Sequence, residues 1–164
     1  MSGCFPRACS SGCTGAAARL KERALHARDF QDDGMAKSNV EIVQAVYAAF
    51  GRRDKIALAM LIAGDIEIVQ STALPWGGEY HGFAGLKQFF ETLLTHVDSQ
   101  VEFERMIDAG DQVAAVGWVS GTVRANGREF RIPIVHLWRI RDGRAAAFHP
   151  YIENALMLEA LAGA

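Results

Sequence analysis

At 164 residues, half of them hydrophobic and 22% charged, the chain has ordinary globular composition and enough length to bury the core of one domain. A formal net charge of −2 without an extended basic run argues against a nucleic-acid partner. No apolar run reaches the roughly 18 residues of a membrane span, which argues against a membrane partner. Cys4, Cys9 and Cys13 are the only cysteines. With no secretory apolar segment, a disulfide framework is not expected and the cytoplasm is the default location. Their Cys-x4-Cys-x3-Cys spacing matches no common zinc motif.

Residues 1–35 are rich in Cys, Ser, Gly, Ala and Arg, and nothing apolar recurs there at helical spacing. They are expected to be a flexible tail, with Met35 an alternative start and the organised domain running over 36–164. Ser38-Asn39-Val40-Glu41 forms a capping box, and Val40, Val43, Val46, Tyr47 and Phe50 follow as one apolar helical stripe up to Gly51. Asp54 caps a second short helix, Lys55 to Ile62, with Gly64 as its stop. Ile66 to Gln70 alternates like a strand. The stretch from Ala73 to Gly82 is crowded with turn formers and reads as a loop. Its Trp76, Tyr80 and His81 suit a pocket rim or simple loop packing. Ala84 to Val97 is a third helix, burying Leu86, Phe89, Phe90, Leu93 and Leu94.

Beyond it the pattern is β. Ser99 to Ala109 and Gln112 to Arg124 meet at Gly110-Asp111, and Asn126-Gly127 leads into Glu129 to Arg141. A two-residue Asn126-Gly127 turn places Gly117 opposite His136 and Ala115 opposite Trp138. Small residues facing large ones leave room for a cavity, although Gly117 equally fits a bulge. In the hairpin before it, simple alternation puts Glu102 and Glu104 on the His136 face and Val101, Phe103 and Ile107 on the other. Either a bulge or burial of both faces must resolve this.

The last hairpin carries the chemistry. Asp142-Gly143 lies between two β-rich runs, and a two-residue turn pairs His136 with His149, Ile134 with Tyr151, Ile132 with Glu153 and Trp138 with Ala147. Alternation then sets all eight side chains on one sheet face: two imidazoles, a phenol and a carboxylate on an apolar wall. That composition suits a small-molecule pocket, with a half-solvated sheet face as the plainer alternative. His136 is the candidate general acid or base, with His149 or Glu153 setting its tautomer. Trp76, Tyr80, Trp138, Tyr151 and Gly117 are the candidate ligand contacts.

Three N-terminal helices, one early strand and a long antiparallel meander give an α+β class, a cone-shaped curved antiparallel sheet closed by helices around a dead-end pocket. The outer sheet face, with Val135, Leu137, Phe148 and Ile152, is expected to be covered in a homodimer.

The runs AVYAAFGRRD, LPWGGEYHGFAGLKQFF, AGDQVAAVGWVSGT and VHLWRIRDGR…YIENALMLEAL resemble the SnoaL-like and ketosteroid-isomerase-related branch of the nuclear-transport-factor-2-like superfamily. The resemblance covers roughly Ser38 to Leu161. It implies a cystatin-like α+β barrel, an apolar small-molecule ligand, and neither cofactor nor metal. Two histidines and a carboxylate on one face would also suit a metal, which this superfamily rarely needs.

Reactions vary widely on this fold. The steroid isomerases' aspartate base falls on Val69-Gln70-Ser71-Thr72, where no carboxylate stands. Their helix tyrosine aligns with Val46, with Tyr47 one place off and turned by about 100°. Their second oxyanion acid aligns with His136. SnoaL-like cyclases fit better, with a histidine at His136 and an acid at Glu153. Epoxide-hydrolase-like members need two convergent aspartates beside residues such as Arg131, Arg139 and Asn154, and no such aspartates are evident. The resemblance thus implies a cyclase, isomerase or dehydratase acting on an apolar carbonyl-bearing molecule by His/Glu acid–base chemistry. The alternative is a non-catalytic small-molecule-binding or dimeric interaction protein.

Overall fold

A computed structural model describes residues 37–163, so the expectation of a tail over 1–35 lies outside the described residues. The first helix, α1 (Asn39–Arg52), begins at the capping box: Glu41 N donates to Ser38 Oγ at 3.3 Å and Ser38 N to Glu41 Oε2 at 2.7 Å. Its buried face is Ile42, Val43, Val46 and Ala49. Asp54 caps α2 (Lys55–Leu61) through the Ala57 N–H at 3.0 Å. Gly64 does not end this helix. It lies inside β1 (Ile62–Gln70), which starts directly after Leu61.

The expected loop contains a short strand, β2 (Gly78–His81), which turns directly into α3 (Gly82–His96). Four strands follow: β3 (Val97–Ala109), β4 (Gln112–Val123), β5 (Glu129–Arg141) and β6 (Arg144–Ile152). A fourth helix, α4 (Asn154–Ala162), closes the chain, where the sequence pattern suggests three in all. Its Ala/Leu-rich run favours helix, and docking of Met157 and Ala160 secures it.

The class is α+β with one curved, unclosed six-stranded sheet in the order β2-β1-β6-β5-β4-β3. The sheet is not wholly antiparallel, because β1 runs parallel to β6. No helix among the described residues is long and apolar enough to cross a membrane.

Three registers differ from those the turns suggest, and two of them change what faces inward. Asp142 and Gly143, with φ of 52° and 70°, form the expected two-residue turn, and Arg141 pairs with Arg144. One pair later Ala146 is left over, so Arg139 pairs with Ala147, His136 with Pro150 and Ile134 with Ile152. The slip reverses the far half of β6. Phe148, Pro150 and Ile152 turn inward, while His149 and Tyr151 join Leu137 and Val135 on the outer face. Phe148 and Ile152 are therefore not part of the outer surface.

At Asn126-Gly127 the connection is longer than two residues. Gly127 N donates to Val123 O at 2.8 Å, and the Asn126 side chain is tied to Ala160 O at 3.0 Å and Arg128 N at 2.9 Å. The register moves by two, so faces are kept and partners change: Ala115 lies opposite His136 and Gly117 opposite Ile134.

In β3 a bulge at Glu104 turns Val101 and Phe103 inward and sends Glu104 outward to accept the Trp118 indole N–H at 2.8 Å. Gly117 sits beneath this bulge, where a Cβ would overlap the Glu102 carbonyl oxygen. Gly117→Ala is expected to cost about 2 kcal/mol or more in urea denaturation, because backbone must move. Gly51→Ala, in α1 with no atom within 4 Å of the new methyl, is expected to gain up to about 1 kcal/mol. Equal stabilities would show that the β3 bulge gives way freely.

Candidate functional site: an apolar cavity centred on His136

Between the concave sheet face and α1, α3 and α4 lies a cavity of about 490 Å³. Its walls are mainly aromatic and aliphatic, including Phe50, Trp76, Phe89 and Phe148, with Gln70, Ser99 and Gln100 as neutral polar members. Among the described residues lining it there is no Asp, Glu, Lys or Arg, and the titratable groups are His136 and Tyr47.

These two are joined. Tyr47 Oη lies 2.9 Å from His136 Nδ1, and Trp138 Nε1 donates to the same Oη at 2.8 Å. The spacing follows from the elements. Alternation on β5 aims His136 and Trp138 inward together, and the stripe of α1 places Tyr47 above both. Packing holds the rings: Phe148 stacks on Trp138 at 4.1 Å and meets the His136 ring edge-on at 5.1 Å, and Phe103 lies 4.4 Å from Tyr47.

Burial governs the electrostatics. With no charged partner to offset desolvation, the His136 imidazole is pushed down from 6.5 to about 3. The half-buried ring lines the cavity. The same desolvation pushes the Tyr47 phenol above its ordinary value, against the opposing effect of the Trp138 hydrogen bond.

Of the residues marked out by sequence, His136, Trp138 and Trp76 line the cavity. Tyr80 does not. It donates to the Trp76 carbonyl at 3.0 Å and packs on Phe89, so it positions the Trp76 loop from behind. Gly117 serves the β3 bulge. The Ala146 slip carries His149 and Tyr151 to the opposite face, Tyr151 being 57% exposed. Glu153, at the N-cap of α4, is exposed and makes no side-chain cap. The expected cluster of His136, His149, Tyr151 and Glu153 is thus not assembled on one face.

Sequence reasoning missed Tyr47 and Gln70. Tyr47 was visible as the one polar group on the α1 stripe, a place where a buried phenol needs a partner. Gln70 lines the cavity 4% exposed. In the amide orientation its hydrogen bonds favour, it donates to Pro150 O at 3.2 Å and accepts from Ser71 N at 3.3 Å.

Residues 43–148 match the SnoaL-like domain family. The chain belongs to the SnoaL-like family. Solved structures agree with this assignment. An NTF2-like protein from Burkholderia thailandensis E264 is 30% identical, with a TM-score of 0.70 over 76% of this chain and 98% of that one. TerC, co-crystallised with polyporic acid, is 26% identical at a TM-score of 0.69, covering 76% and 98%. IdmH from Streptomyces antibioticus, a proposed polyketide cyclase, is 27% identical at a TM-score of 0.60, covering 75% and 97%. No curated protein matches the sequence.

The desolvated imidazole has a consequence for stability. The unfolded chain takes up a proton near pH 6.5 that the folded protein refuses until about pH 3. Lowering pH through that window therefore favours unfolding, by about 1.4 kcal/mol per unit from this group. Urea melts of wild type and His136→Phe at several pH values should show the wild type alone carrying this increment. Parallel losses in the two proteins would mean the ring is hydrated.

Proposed function

We propose that this protein is a small, cytoplasmic, cofactor-independent enzyme of the cyclase, isomerase or dehydratase kind, acting on an apolar carbonyl-bearing molecule. The observation that carries this reading is the pairing of His136 with Tyr47, the titratable groups among the described residues lining a mainly apolar cavity of about 490 Å³. The apolar walls supply affinity by desolvating a largely hydrocarbon ligand. The His136 end is where a ligand oxygen is held and where proton chemistry α to the carbonyl centres. Glu153 is left out of the reacting group because it is exposed at the start of α4. Support for a small-molecule occupant comes from TerC, similar at 26% identity, which co-crystallises with polyporic acid. Support for the reaction class comes from IdmH, a proposed polyketide cyclase.

That no carboxylate stands among the described lining residues favours a second reading, a ligand-binding protein without turnover. A thermal-shift panel of enones, epoxides, aromatic polyketides and short enoyl compounds separates the two. A ligand at about a hundred times its dissociation constant adds about 2.7 kcal/mol. Turnover of the stabilising class, lost in His136→Ala with the fold intact, is the expected result. Full activity in His136→Ala would end the enzyme reading centred on this residue.

The outer sheet face supports a homodimer. Ile107, Val135 and Tyr151 are 43%, 36% and 57% exposed there, and the buried His149 Nε2 has no partner. Val135→Asp is expected to shift the wild-type dimer to monomer in light scattering, and a wild-type monomer at all concentrations would refute this.

A further inference from the structure

The Trp138–Tyr47–His136 chain has a direction, because its first member can only donate. Indole Nε1–H occupies one lone pair of Tyr47 Oη at 2.8 Å, and the next contact, Tyr47 Oη to His136 Nδ1, is 2.9 Å. Two proton arrangements are compatible with these distances. In one, Nδ1–H also donates to Oη, which leaves the phenol proton and the Nε2 lone pair both unpaired against an apolar cavity. In the other, Tyr47 O–H donates to Nδ1, and only Nε2–H remains free. The second leaves one unmatched group instead of two, and each bond in the row polarises the next.

We propose that His136 is a fixed hydrogen-bond donor, held as its Nε2–H tautomer by Tyr47 and Trp138. We further propose that the ligand presents a carbonyl or enolate oxygen to it. This rests on the reading of the cavity as a small-molecule site and specifies the chemistry at its polar end. Tyr47 and Trp138 are then positioning residues that act through the imidazole.

The surroundings give no competing instruction. Facing the ring are Tyr47 from α1, Phe103 from β3, Ala115 from β4, and Phe148 and Pro150 from β6. Tyr47 is the sole titratable group among them. The strong desolvation of His136 keeps the ring neutral in the physiological range. A neutral imidazole that donates to an oxygen gaining negative charge stabilises an enolate without becoming an ion itself. Gln70 is held elsewhere at both ends of its amide, donating to Pro150 O at 3.2 Å and accepting from Ser71 N–H at 3.3 Å.

The tautomer can be read without any ligand. Nitrogen NMR of histidine-labelled protein, with His136 assigned by its loss in His136→Phe, should show Nε2 protonated and Nδ1 bare from about pH 5 to about pH 8. Tyr47→Phe should populate the Nδ1–H tautomer as well. A wild-type ring protonated at Nδ1, an imidazolium forming within that range, or a Tyr47→Phe ring identical to wild type would overturn the assignment.

The ligand half is tested with 2-acetylnaphthalene and its hydrocarbon isostere 2-isopropenylnaphthalene. Wild type should bind the ketone about tenfold more tightly, and Tyr47→Phe should lose that preference while keeping hydrocarbon affinity. Equal binding of both by wild type would overturn the oxygen-recognition claim. If neither binds while the tautomer is as stated, the small-molecule reading falls and the donor assignment stands.

Discussion

One surplus residue, Ala146, decides what the interior of this protein is. Because side chains alternate with a period of two, a single unpaired residue exchanges the faces of everything beyond it. Here the exchange removes an imidazole, a phenol and an approach of Glu153, and substitutes Phe148, Pro150 and Ile152. The outcome is a mainly apolar cavity with one titratable pair, His136 and Tyr47, in place of a face carrying several titratable groups. The stacking of Phe148 on Trp138 exists only in this register, so the fixed position of the indole that anchors the hydrogen-bond chain also depends on it.

The elements were legible in the sequence where local chemistry specified them. The Ser38/Glu41 capping box, the Asp54 cap, the Gly110-Asp111 turn and the Asp142-Gly143 turn all formed as their residue types dictate. The α+β class followed from the order of those elements, and the family resemblance from the sequence runs around them. Registers were harder, because a bulge has no obligatory residue. The run Ala145-Ala146-Ala147 interrupts alternation, and large apolar residues resume at Phe148, Pro150 and Ile152 in the opposite frame. That frame change is the signal, and the attraction of two facing histidines obscured it. Asn126 misled for another reason: its side chain serves the end of α4, a long-range tie that no local turn preference can disclose.

Tyr47 shows the limit of carrying positions over from relatives. The family resemblance implies that it stands one residue from the isomerase tyrosine's position on α1 and points elsewhere. Yet it reaches the imidazole and the indole at once, because both lie on the same face of β5 two residues apart. The site is thus defined by what the helix meets rather than by helix position. The emptiness of charge around it explains why the chemistry is concentrated in hydrogen-bond direction.

The parallel pairing of β1 with β6 bears on how the chain reaches this state. Strands β3 to β6 connect by short turns and can zip in sequence, each contact lying close along the chain. β1 must wait, since Ile62 meets Ala145 only after the whole meander has been laid down. Closing so long a loop is entropically slow and is rewarded only when its partner edge exists. The topology therefore favours nucleation in the C-terminal meander, with β1, β2 and the helices beside them joining later. In that order, the half of the molecule that carries His136 and Trp138 precedes the half that encloses them.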